Sequence, residues 1–166
     1  ATLRFTGSGT QLLTGPTDVY VFVMRKSEGT LTPAANFGVS STFSSDGAGG
    51  SLVMGANNLS ITGASTIVAG TVTSTSGTLV FTGAVTSSGA IGSDTGTQTF
   101  SSTLQNNGTW DAGSGTATVT GALTNPGTIT ENTGAGGNIV HTAESVLMTD
   151  SSGTELTTVA EPGAIY

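Results

Sequence analysis

The chain has no cysteine, so no disulfide staples it and redox state says nothing about its compartment. It has only three basic residues, Arg4, Arg25 and Lys26, against ten acidic ones, for a net charge of −7. So few cations cannot neutralise a run of phosphates, which excludes nucleic acid as a partner. Charged residues are 8% of the 166 and aromatics 5%. An average soluble domain carries roughly 25% charge. No apolar run approaches the roughly 20 residues of a membrane-spanning helix, so no such insertion is expected. Richness in Gly, Ser and Thr could mean disorder, but disordered chains combine low hydrophobicity with high charge. With 35% hydrophobic residues and a mean hydropathy of +0.15, this chain has enough apolar surface to fold. It opens at Ala1 with neither signal peptide nor initiator Met, and reads as a processed chain or a fragment.

Glycine and threonine are what the chain has in excess: 26 Gly, and Thr at about a fifth of all residues. Interior Gly costs a helix about 1 kcal/mol, and β-branched Thr and Val suit strands better. Short alternating runs bounded by Gly, Ser and Asn therefore read as strands and turns.

The organisation is a repeat with a period of about 19 residues. Gly70, Gly89, Gly108 and Gly127 each stand one period apart. Val72, Ile91, Trp110 and Ile129 keep that spacing, as do Val85, Leu104 and Leu123, and Phe81, Phe100 and Val119. Gly77, Gly96, Gly115 and Gly134 form a second glycine column. Recurring hydrophobic columns at a period near 20 predict a solenoid. Each rung has three short strands, the first centred on Val72, the second over residues 78–82 and the third on Val85, with Gly77, Gly83 and Gly89 at the corners. Alternation turns Leu79 and Phe81 inward. A lone rung buries about four large side chains at roughly 2 kcal/mol each. Ordering its backbone costs about 1–2 kcal/mol per residue. Rungs are therefore stable only when stacked.

The first half has the same texture with less regular spacing. Gly29-Thr30-Leu31-Thr32 echoes Gly77-Thr78-Leu79, and Leu59-Ser60-Ile61-Thr62-Gly63 echoes Leu79 to Gly83. The fold class expected is all-β: a single-stranded β-solenoid (β-helix) over residues 1–140. Its three-strand rungs each take about 19 residues. Rungs are irregular over 1–69 and regular over 70–140. Residues 141–166 break the pattern and read as a C-terminal cap, tail or exchanged strand.

The runs GSGTQLLTG (7–15), DVYVFVMRKSEGTLT (18–32) and MGANNLSITG (54–63) carry a resemblance. A G-x-Q-x-[LI]-x-G element, a hydrophobic strand, a basic-Ser-x-Gly-Thr turn and an L-x-[IL]-x-G strand follow one another over about residues 5–63. This resembles the β-solenoid repeats of very large bacterial (Bacteroidetes-type) secreted surface adhesins and extracellular fibre proteins. The resemblance implies a secreted solenoid at the cell surface and carries no active site with it.

Candidate chemistry is sparse. Asp94, Asp111 and Glu131 lie near one turn region, but Asp94 aligns with Gly113 and Asp111 with Gly92 and Thr130. They share no column, so neither a carboxyl pair for glycoside hydrolysis nor a calcium cage is expected. His141 has no Cys or second His to pair with. Arg25-Lys26 reads as a solvated basic pair. Trp110 belongs to a Val/Ile column and reads as core rather than as a sugar-stacking platform. No catalytic, cofactor or metal site is expected.

A threonine array is the sharper candidate. With Leu79 and Phe81 inward, Thr78, Val80 and Thr82 face out, followed by Thr97, Thr99 and Ser101, then Thr116, Thr118 and Thr120. Such a grid has spacings of about 4.8 Å between rungs and about 6.8 Å along a strand. It resembles the outward T-x-T ranks of ice-binding solenoids. The solenoid also leaves open strand edges at its ends, with no amphipathic helix to cover them. The function expected is an extracellular structural protein, not an enzyme, that joins copies of itself head to tail through residues 1–15 or 141–166. The alternatives are an adhesin module binding a cell-surface glycan and an ice-binding protein.

Overall fold

A computed structural model describes residues 1–15, 17–47, 49–131, 138–141, 146–149 and 155–156. Among them there is no helix, and every element is a strand of two to six residues. The strands stack into three parallel walls that wind as a β-solenoid of about seven turns. The first wall begins with Thr2–Gly7, the second with Gln11–Leu13 and the third with Asp18–Val19.

The predicted hydrophobic columns are all present. Val72, Ile91, Trp110 and Ile129 are consecutive partners on the second wall. Val85, Leu104 and Leu123 follow one another on the first. Phe81, Phe100 and Val119 do so on the third. All of these are buried except Ile129, which is partly covered. In the second glycine column, Gly134 lies outside the described residues. Stacking puts like on like: the Phe81 and Phe100 rings lie 5.1 Å apart and 2° from parallel. The edge of Trp110 closes on Phe100 at 5.3 Å. Earlier in the stack, Phe22 packs on Phe43 at 5.4 Å and on Phe37 at 5.2 Å.

Rung length varies within 1–69 as expected, and again inside the stretch expected to be regular, where the step from Ala117 to Ile139 is longer than the period. On the first wall Leu3 pairs with Phe22, Phe22 with Phe43, Phe43 with Ser65 and Ser65 with Val85. The first of these steps has the regular length. The next three are longer, the longest being Phe43 to Ser65. The regular step then returns and holds through Leu104 and Leu123. The corner from third wall to first is three residues in each rung from 40–42 to 120–122. The extra length sits in the other two corners, notably 46–50 and 54–58.

One echo is corrected. Leu31 pairs with Leu52 and Leu52 with Val72, so Gly29-Thr30-Leu31 is the counterpart of Gly70-Thr71-Val72 on the second wall, not of Gly77-Thr78-Leu79 on the third. The two glycines share a conformation, with φ +72° at Gly29 and +79° at Gly70. At Gly70 a Cβ would also overlap the Gly50 carbonyl. The corner therefore demands glycine twice over, by conformation and by space.

Polar ladders share the interior with the apolar columns. Ser74 Oγ and Ser93 Oγ share a hydrogen bond at 2.9 Å, and Asn106 Nδ2 donates to Asn125 Oδ1 at 2.6 Å, each across one regular period. Identical residues on successive rungs supply partners for these buried groups, though Asn106 Oδ1 and Ser65 Oγ have none among the described residues.

The first wall runs past residue 140. Val146–Thr149 pairs parallel with Leu123–Asn125, and Glu155–Leu156 then pairs antiparallel with Met148–Thr149. The cap, tail or exchanged-strand reading of the rest of 141–166 falls outside the described residues.

Candidate binding face and terminal rung

Period-two alternation along the third wall decides what its outer face carries. Gly38, Ser60, Val80, Thr99, Thr118 and Val140 are successive partners in its central outward column. Thr78, Thr97 and Thr116 flank it on one side, and Thr82, Ser101 and Thr120 on the other. Thr82, Thr97, Thr116 and Thr120 are exposed, while Thr78, Thr99 and Thr118 are half-buried. Thr97 Oγ1 donates to Thr78 Oγ1 at 3.2 Å. The array is thus brought together on one face, and Thr fills the central column in two rungs, at Thr99 and Thr118.

The spacing holds for Asp111 but not for Glu131. Asp111 registers with Gly92 and Thr130, and a shift in register after it sets Gly113 opposite Glu131. Asp111 Oδ1 accepts from the Gly113 N–H at 2.9 Å, so this carboxylate caps its own bulge. Both Asp94 and Asp111 are exposed. They line a hollow of about 240 Å³ on the second wall, opened by the small outward residues Ala90 and Gly92. Among the described residues no group of three or more His, Asp or Glu could hold a metal ion. His141 pairs in register with Val119.

The basic pair is half corrected. Arg25 is solvated and ion-paired, its Nη2 lying 2.8 Å from Asp46 Oδ2. Lys26 is not solvated. It is fully buried, with Nζ donating to the Gly9 carbonyl at 2.5 Å and to Gln11 Oε1 at 2.9 Å. Alternation along Val21–Lys26 sends Phe22, Met24 and Lys26 inward together. The strand period therefore contained this placement, and residue charge obscured it. Trp110 is core, at 0% exposure.

Among the described residues, the first rung has a neighbour on one side only. Its inner residues Leu3, Phe5 and Leu13 are partly covered, whereas Phe22 and Met24, in register with Leu3 and Phe5, are exposed by 0% and 1%. Leu12, on its outer side, is 63% exposed. Val21 and Ser27 donate to the carbonyls of Ala1 and Gly7. By alternation, Thr2, Arg4 and Thr6 turn their own N–H and C=O groups to the open edge.

No family model, curated protein or solved structure matches the chain.

Proposed function

We propose that the chain is a structural module of an extracellular fibre, extended head to tail by pairing of its first rung with another copy. The observation that supports this is the half-covered row Leu3, Phe5 and Leu13 beside an open three-wall edge. A further rung would bury these side chains and complete the ladders of Thr2–Gly7, Gln11–Leu13 and Asp18–Val19. An open parallel edge templates such pairing. Contact between unlike ends does not close on itself and so propagates as a filament. The extracellular setting rests on the resemblance of residues 5–63 to adhesin repeats. No enzymatic role is assigned.

Light scattering across a wide concentration range, with electron microscopy of the same samples, tests this reading. Filaments that lengthen with concentration are expected. Thr6→Pro removes an N–H from the open edge while sparing the ladder to Val21–Lys26, and should shorten or abolish them. A chain that stays monomeric, or stops at a discrete dimer, overturns the proposal.

A further inference from the structure

The third wall changes character toward its N-terminal end. Where the Thr array has Val80, Thr99 and Thr118 in its central column, the first three rungs have Asp18, Gly38 and Ser60. The missing side chain at Gly38 opens a groove of about 460 Å³, lined by Thr17, Asp18, Asn36, Gly38, Asn58 and Ser60 among others. That volume falls in the roughly 300–1,000 Å³ range of small-molecule sites. A Cβ on Gly38 would collide with Asp18 Oδ1, so the carboxylate lies across space that only glycine leaves free.

The polar groups along the groove are oriented. Asn36 Oδ1 accepts from the Asn58 N–H at 2.9 Å, and Asn58 Oδ1 accepts from the Thr78 N–H at 2.9 Å. A backbone N–H can only donate, so each bonded amide atom is the oxygen and each Nδ2 is left as a donor. These two donors stand about one rung, roughly 4.8 Å, apart. The Asp18 carboxylate has no hydrogen-bond or ion-pair partner among the described residues. Two residues on, Tyr20 is 62% exposed.

We infer that this groove binds a neutral oligosaccharide, as a segment of a polysaccharide laid along the solenoid axis over Gly38. Sugar hydroxyls both donate and accept, so one ring can take hydrogen bonds from the two amides and give one to Asp18. Tyr20 supplies an aromatic face for the C–H side of a neighbouring ring. A free carboxylate on a chain of net charge −7 disfavours uronic acids and phosphates. The groove faces outward from the wall, so end-to-end stacking leaves it open, and the inference does not depend on the filament.

The test is an NMR titration of the full chain, carried out in the Thr6→Pro background if filaments broaden the spectra. Side-chain amide signals of Asn36 and Asn58 are followed with tetramers of β-1,4-linked glucose, mannose, xylose and N-acetylglucosamine, and with tetragalacturonate as the acidic comparison. At least one neutral tetramer at millimolar concentration should shift both amide signals. Gly38→Val fills the groove from the outward side and should weaken that binding tenfold or more with unchanged circular dichroism. Asp18→Asn and Tyr20→Ala, which leave the groove's floor intact, should each weaken it as well. The inference is overturned if no neutral tetramer moves these signals, if binding survives Gly38→Val, if the shifts fall on Thr99 and Thr118, or if tetragalacturonate binds best.

Discussion

Trp110 Nε1 donates to Gln98 Oε1 at 2.9 Å, inside a column that is otherwise apolar. Gln98 stands in register with Leu79 on one side and Ala117 on the other. Its Nε2 donates onward to the Asp111 carbonyl at 2.8 Å, so one amide serves both an indole and a bulge. Gln98→Leu restores the residue type of the rung before, yet leaves both partners unpaired in the interior. It should cost about 1–3 kcal/mol in urea denaturation, the range for stranding buried polar groups. A variant as stable as the parent would show that the two groups find other partners.

Neighbouring residues on one strand should differ sharply. Phe100 is fully buried between Phe81 and Trp110, and Phe100→Ala should cost about 3–5 kcal/mol. Thr99, on the outer face, should lose well under about 1 kcal/mol on Thr99→Ala. Equal losses in chemical denaturation would contradict the assignment of faces.

The legibility of these features in the sequence follows from how each is encoded. Val72, Ile91 and Trp110 repeat an apolar residue at a constant period, so the column can be read without coordinates. The same spacing joins Ser74 to Ser93 and Asn106 to Asn125, and those buried ladders are equally open to reading. Polar type hides them, as charge hides the inward turn of Lys26. Gly29-Thr30-Leu31 points to the wrong wall because corners of different length surround it, and a Gly-Thr-Leu triplet fits either wall. The groove over Gly38 lies in those variable rungs. Asn36 and Asn58 are 22 residues apart, and no regular period brings them together.

Thermal hysteresis tests the outer Thr face. Ice recognition calls for a regular lattice of hydroxyls, and here Gly38, Ser60 and Val80 interrupt the central column before Thr99 and Thr118 begin it. The expected outcome is no hysteresis at any concentration. If hysteresis is measured, the double variant Thr99→Lys and Thr118→Lys should abolish it with unchanged circular dichroism, and ice binding then displaces the fibre as the function.

Lys26 and Gln11 give a prediction about the adhesin-like motif itself. Both belong to the motif elements that carry the resemblance, and Lys26 reaches from the second rung to Gln11 and Gly9 of the first. Burying an ammonium group is tolerable only when its donors are satisfied. Gln11→Leu removes an acceptor from a buried cation and should cost about 1.5–3 kcal/mol, as for other hydrogen bonds to charged groups. Lys26→Met leaves the Gly9 carbonyl and Gln11 Oε1 without their donor, at about 1–3 kcal/mol. Replacing both removes the mismatch that each single change creates. The double variant should therefore lose less than the sum of the two, by roughly 0.5–3 kcal/mol, the range of coupling between residues in contact. A urea-denaturation cycle in which the losses simply add would mean that the lysine is held by its aliphatic packing alone. The basic-Ser-x-Gly turn would then owe nothing to the glutamine that precedes it.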